Sequence, residues 1–164
     1  MRRIALALLA GSLLIGLVAA PVAARRAGPS IVETAIAVNA ESGEFSTLIA
    51  AVQAAGLVDV LNGNRQFTVF APTDAAFAAL GLNAGNVGTA LDAATLTDIL
   101  LYHVTTGRKD AAEVVASDTI RMLNGDRVDV TVGGGVFVDD AEVIITDIRT
   151  SNGIIHVIDA VLLP

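Results

Sequence analysis

Any chemistry in this 164-residue chain has to be built from few polar parts. There are two histidines, His103 and His156, one tyrosine, Tyr102, one lysine, Lys109, and seventeen carboxylates. With no cysteine, thiol catalysis, thiolate zinc sites, iron–sulfur clusters and disulfide frameworks are excluded. A Ser-His-Asp hydrolase would need one of the two histidines beside an activated serine, and the chain has no Gly-x-Ser-x-Gly elbow. Among seventeen acids the adjacent pair Asp139-Asp140 is no evidence of glycoside chemistry, and on a strand the two side chains would point to opposite faces. His103 and His156 stand apart from any dense acidic or histidine motif, so no metal site is expected. Gly133-Gly134-Gly135 has no helix start after it to receive a phosphate. The reading is a non-enzyme without a cofactor. Nucleic acid is excluded as a partner by a formal charge of −7 and a single lysine.

The elements that carry these residues divide into a helical half and a strand half. Ser30-Ile-Val-Glu33 is a capping box, which predicts a helix from Ile31 with Val32, Ala35 and Ile36 on its apolar face. Phe45, Leu48, Ile49 and Val52 fall at i, i+3, i+4 and i+7, and Gly56-Leu57 reads as a left-handed C-terminal cap. Gln66 to Ala71 predicts a strand ended by Pro72. Thr73 or Asp74 then caps a helix running through Leu80, with Phe77 and Leu80 facing inward. Leu96, Ile99, Leu100 and His103 keep helical spacing, while Tyr102-His103-Val104 could equally begin a strand. From Asp118 the period changes to two, and Asn124-Gly125 signals a two-residue hairpin turn with positive φ at both central positions. Asn152-Gly153 reads as a tight turn. His156 alternates with Ile154 and Ile158 on one strand face, so a buried, hydrogen-bonded imidazole is expected. The pattern gives an α+β fold, a small β-sandwich with helices packed on it.

The N-terminal residues belong to targeting rather than to the fold. Arg2 and Arg3, an uncharged run from Ile4 to Val18 and the small residues Val22-Ala23-Ala24 resemble a secretory signal peptide, residues 1–24, cut after Ala24. The competing reading is an uncleaved anchor, since Ile4 to Ala24 approaches the roughly 20 residues that span a bilayer. Cleavage would remove two of the 10 basic residues and leave 8 against 17 acidic ones, a balance of −9. Residues 25–29 would then be a short tail and residues 30–164 the domain, placed in the periplasm, at the cell surface or in the medium. Membrane contact is expected only through an uncleaved N-terminus.

Three stretches carry a family resemblance. Phe67-Thr-Val-Phe-Ala-Pro-Thr-Asp-Ala-Ala-Phe77 and Asn152-Gly-Ile-Ile-His-Val-Ile-Asp-Ala-Val-Leu-Leu-Pro164 resemble the two signature segments of fasciclin-like domains. Leu101-Tyr-His-Val104 resembles the Tyr-His motif of that family. The resemblance implies a wedge-shaped β-sandwich flanked by helices, in an adhesion or protein-interaction module of the cell envelope or matrix. It also implies partner contact at Tyr102 and His103 and at the upstream pair Asp98 and Ile99. The bland alternative is that Ile99 and His103 pack in the core, with Thr73, Asp74, Asn152, Gly153 and His156 holding the fold together. The expected partner is a cell-surface or matrix protein or glycan. A single copy gains no avidity from linkage, so it would act as a monomer or through weak self-association. Two further readings are a carrier of a small apolar ligand, which would need a pocket of at least roughly 300 Å³, and a self-associating envelope or matrix component.

Overall fold

The structure, a computed structural model, describes residues 28–164. The expected signal peptide and most of the tail lie outside the described residues. Helix α1 (Ile31–Ser42) opens on the expected capping box: the Glu33 amide donates to Ser30 Oγ and the Ser30 amide to Glu33 Oε2. Helix α2 (Ser46–Ala54) ends in a Schellman motif, with the Leu57 amide donating to the Val52 carbonyl and the Gly56 amide to that of Gln53. Gly56 sits at φ 67°, where a side chain would be strained. A single turn, α3 (Val58–Leu61), leads into strand β1 (Phe67–Pro72). After it come α4 (Asp74–Ala79), α5 (Val87–Ala90), α6 (Ala93–Tyr102), β2 (Val104–Thr106) and α7 (Ala111–Val115). The strand half contains β3 (Thr119–Arg121), β4 (Arg127–Val132), β5 (Val136–Val138), β6 (Ala141–Thr150) and β7 (Gly153–Ile158).

The strands form one sheet in the order β2-β1-β7-β6-β5-β4-β3. Only β1 and β7 run parallel, and both are buried along their whole length, as central parallel strands must be. The two ends of the order meet. Thr105 Oγ1 donates to the Arg121 carbonyl, and the Leu123 amide to that of Val104. The sheet therefore curls back on itself. Phe67, Val69, Ala71, Ile155 and Val157 face α1, α2, α3 and α6 and form one apolar cluster. Phe70 and Ile158 face the opposite way, toward Ile120, Val128 and Val138 on the curled layer. Period-two alternation in β1 and β7 thus supplies two cores from two strands.

Several details differ from the sequence reading. Leu80, expected to face inward, is 44% exposed, because α4 ends at Ala79. The Asn124-Gly125 hairpin lacks the two-residue turn, and among the described non-glycine residues only Asp139 and Asp147 have positive φ. Leu123 leaves the β3–β4 ladder to bond Val104, and this closure of the sheet outweighs the local turn preference. Asp139 and Asp140 lie in the turn between β5 and β6, so the opposed faces of a strand do not apply to them. Asn152-Gly153 is likewise no two-residue turn: the turn is Ser151-Asn152, and Gly153 opens β7.

Candidate functional site

The end of α6 gathers the residues that the sequence singled out. Asp92 caps the helix by accepting from the Thr95 amide at 2.9 Å. One turn further on, helical spacing separates Asp98, which is exposed, from Ile99, which is buried. Tyr102 is 5% exposed and packs with Phe70 and Ile158. Its hydroxyl lies 3.0 Å from Asp139 Oδ2 and 3.2 Å from the Arg127 carbonyl, so its one proton serves either acceptor in turn. Burial, and then the Asp139 carboxylate, push the phenol up to about 12. Asp139 itself is pinned at φ 50° and accepts from the Asp129 amide at 2.8 Å through its other oxygen.

His103 is 1% exposed. Its Nε2 faces the Leu162 amide at 2.9 Å, and an amide can only donate. The ring proton is therefore on Nδ1, which donates to the Ile99 carbonyl at 2.7 Å. Burial holds the imidazole neutral, with its pKa lowered to about 4. The same logic fixes His156. The Asp147 amide donates to Nδ1 at 3.3 Å, leaving Nε2 to donate to the Lys109 carbonyl at 2.8 Å. The ring stacks on Phe70, its partner across the β1–β7 register, with centroids 5.6 Å apart. Both histidines are hydrogen-bonded through both nitrogens, so neither has a lone pair left for a metal or a substrate proton. Among the described residues, no group of three or more histidine or acidic side chains is placed to hold a metal ion.

The remaining singled-out residues hold elements together. Thr73 Oγ1 accepts from the Ala76 amide and caps α4. Asp74 reaches across to the Thr47 amide at 2.8 Å and caps α2, whose own N-terminal residue Phe45 has no side chain for the task. Asn152 is 1% exposed; its Oδ1 accepts from the Ile31 amide and its Nδ2 donates to the Leu61 carbonyl. It therefore joins the start of α1 and the end of α3 to the β6–β7 connection. A Cβ on Gly153 would stand 1.9 Å from the Phe67 carbonyl oxygen, so the β1–β7 contact requires glycine there. Asp139, Asp147 and Leu162 were not anticipated as partners of these side chains; sequence spacing carries no signal for bonds of 37, 9 and 59 residues' separation.

A trough separates α1 from α2 and α3, with β1, β7 and the His103 ring at its floor. Val32, Ala35 and Ile36, the apolar stripe read from the α1 sequence, form one wall. It offers about 130 Å³ of fillable space, within about 780 Å³ once the open mouth is counted. The smaller figure falls short of the roughly 300 Å³ expected for a ligand-carrying pocket. Among the described residues, no helix is long and apolar enough to cross a membrane.

These features have counterparts in known proteins. The chain is 46% identical over 136 residues to the uncharacterized protein sll1735 of Synechocystis, covering 82% of this chain and 98% of that protein. It is 38% identical over 112 residues to the cell surface glycolipoprotein MPB83 of Mycobacterium bovis, covering 66% of this chain and 48% of that one. In fold it is similar to a pair of FAS1 domains from the insect cell adhesion molecule Fasciclin I, with a TM-score of 0.67 at 19% identity, covering 83% of this chain and 51% of the pair. The Fasciclin domain profile matches residues 43–164, which takes in both signature segments and the Tyr102-His103 turn, and the chain belongs to the fasciclin family.

Proposed function

We propose that this domain is a non-catalytic interaction module of the cell surface or extracytoplasmic space, engaging a protein or glycan partner through the exposed face of α6 around Asp98. The observation that supports this reading is the anchoring of α6 from beneath. Ile99 and Leu100 are buried in the core, Tyr102 bonds toward Asp139, and His103 bonds to Leu162. A helix held at three points presents its outer side chains in fixed positions, which lowers the ordering cost of binding. Of the four residues implicated by the family resemblance, Asp98 is the one whose side chain reaches solvent. The likeness to MPB83, a cell surface glycolipoprotein, and to Fasciclin I, a cell adhesion molecule, favours a surface role.

The test is binding of the purified domain to intact cells and to matrix of its own host, measured for wild type and Asp98→Ala. The expected result is at least a tenfold weaker interaction in the variant at an unchanged melting temperature. Equal binding by the two proteins would remove α6 from the interface. Self-association is the second reading, favoured by Val132, Ile144 and Ile145, which are 62%, 48% and 49% exposed on β4 and β6. Sedimentation across a concentration series decides it.

A further inference from the structure

We propose that the trough between α1, α2 and α3 is a binding site for one small apolar group, a single ring or a short unbranched chain, whose head is not anionic. This goes beyond the interaction reading and does not depend on it.

The lining sets the chemistry. Of the side chains around the trough, only those of Gln53 and His103 are not pure hydrocarbon. Both His103 nitrogens are already bonded, to the Ile99 carbonyl and the Leu162 amide, so the ring presents only carbon and asks for no water. Walls of this kind hold water poorly, because a water against them finds too few partners; enclosed cavities of about 150 Å³ with such walls stay dry and accept a benzene-sized guest. The 130 Å³ available here matches that scale. It admits one ring or a short chain and is too small for a fully enclosed larger ligand.

The mouth sets the head group. Gln53 is exposed, and it is the one trough side chain with unused hydrogen-bonding groups. It can donate to or accept from a hydroxyl, an amide or an amine. The three helices around the trough carry Glu33, Glu41 and Asp59 and no basic residue. Their field opposes a carboxylate or phosphate head. A trough that closed over its apolar walls would remove more hydrocarbon from water. Here Ile36 instead remains 47% exposed at the rim.

The probes are benzyl alcohol, toluene and benzoate, which share one ring and differ in the head. Each is titrated into the protein while the side-chain methyl resonances are followed by NMR. Benzyl alcohol is expected to give saturable shifts confined to methyls of the trough, among them Ile36, Ile49 and Val58, with benzoate at least tenfold weaker. Ala35→Leu, which extends a half-buried wall residue into the space, is expected to weaken benzyl alcohol at least tenfold. Shifts that never saturate, or that spread evenly over the protein, would overturn the site, as would unchanged affinity in a folded Ala35→Leu protein. Equal affinity for benzoate would overturn the choice of head. Gln53→Leu, at an exposed position that folding does not depend on, is the second variant. It is expected to erase the preference for benzyl alcohol over toluene, and a retained preference would remove Gln53 from the site.

Discussion

Acid should loosen this fold through His103. The imidazole is neutral in the folded protein because burial lowers its pKa from an ordinary 6.5 to about 4. Protonation would place a charge in the core and remove the lone pair that accepts from the Leu162 amide. In the unfolded chain the ring titrates normally, so between these two pH values the unfolded state binds the extra proton. Stability is therefore complete above about pH 7, falls as pH drops from about 6.5, and levels off below about 4. A difference of about 2.5 pH units corresponds to about 3 kcal/mol at about 1.4 kcal/mol per unit. The ring is fully buried, so solvent screening takes little from this figure. The assay is urea unfolding of wild type and His103→Gln between about pH 7.5 and 4. Every other ionisable group is common to the two proteins and cancels in the difference. The stability advantage of wild type over the variant is expected to shrink by about 3 kcal/mol across that range, with equal denaturant slopes. A gap that stays constant with pH would show that His103 is not held neutral, and the reasoning from burial would fail.

Two other perturbations test the centre of the sheet. Gly153→Ala would push a Cβ to 1.9 Å from the Phe67 carbonyl oxygen, a backbone atom locked in the β1–β7 ladder, so a loss of at least about 3 kcal/mol is expected in thermal unfolding. An unchanged midpoint would show that the ladder can part at no cost. His156→Ala removes the acceptor of the Asp147 amide, the donor to the Lys109 carbonyl and the stack on Phe70; a loss of roughly 1–3 kcal/mol from the hydrogen bonds alone is expected, and faster amide exchange at Asp147 should accompany it.

Local order was legible where the chain alone decides it. The capping box at Ser30 and Glu33, the glycine cap at Gly56 and the alternation of β7 each depend on residues within a few positions of one another, and each appears in the structure as read. The misreadings share a physical cause. Asn124-Gly125 has strong turn chemistry, but Leu123 gains two carbonyl partners, Leu101 and Val104, by leaving the ladder. Gly153 was read as a turn glycine from its neighbour Asn152, whereas the glycine is required by the approach of a strand more than eighty residues earlier in the chain. Strand β2 is only three residues long and exists because β1 and Leu123 flank it. Here the local pattern left helix and strand both open at Tyr102-His103-Val104, and closure of the sheet decided between them.

The Tyr102-His103 pair shows why a family motif can be plain in a sequence while its role is not. Read as surface groups, the two would form a polar contact point. In the structure they face opposite tasks at the end of one helix: Tyr102 ties α6 to the β5–β6 turn through Asp139, and His103 ties it to the C-terminal segment through Leu162. Each bond joins α6 to chain more than thirty residues away, and together they fix the position of the helix over both cores. On the proposed interface, a substitution at either residue would disturb partner binding even if neither touched the partner, because the exposed face around Asp98 would move with the helix. Loss of binding in such a variant therefore counts as evidence for a contact only when the melting temperature is unchanged. Of the four residues, Asp98 is the one whose solvent exposure allows that condition to be met.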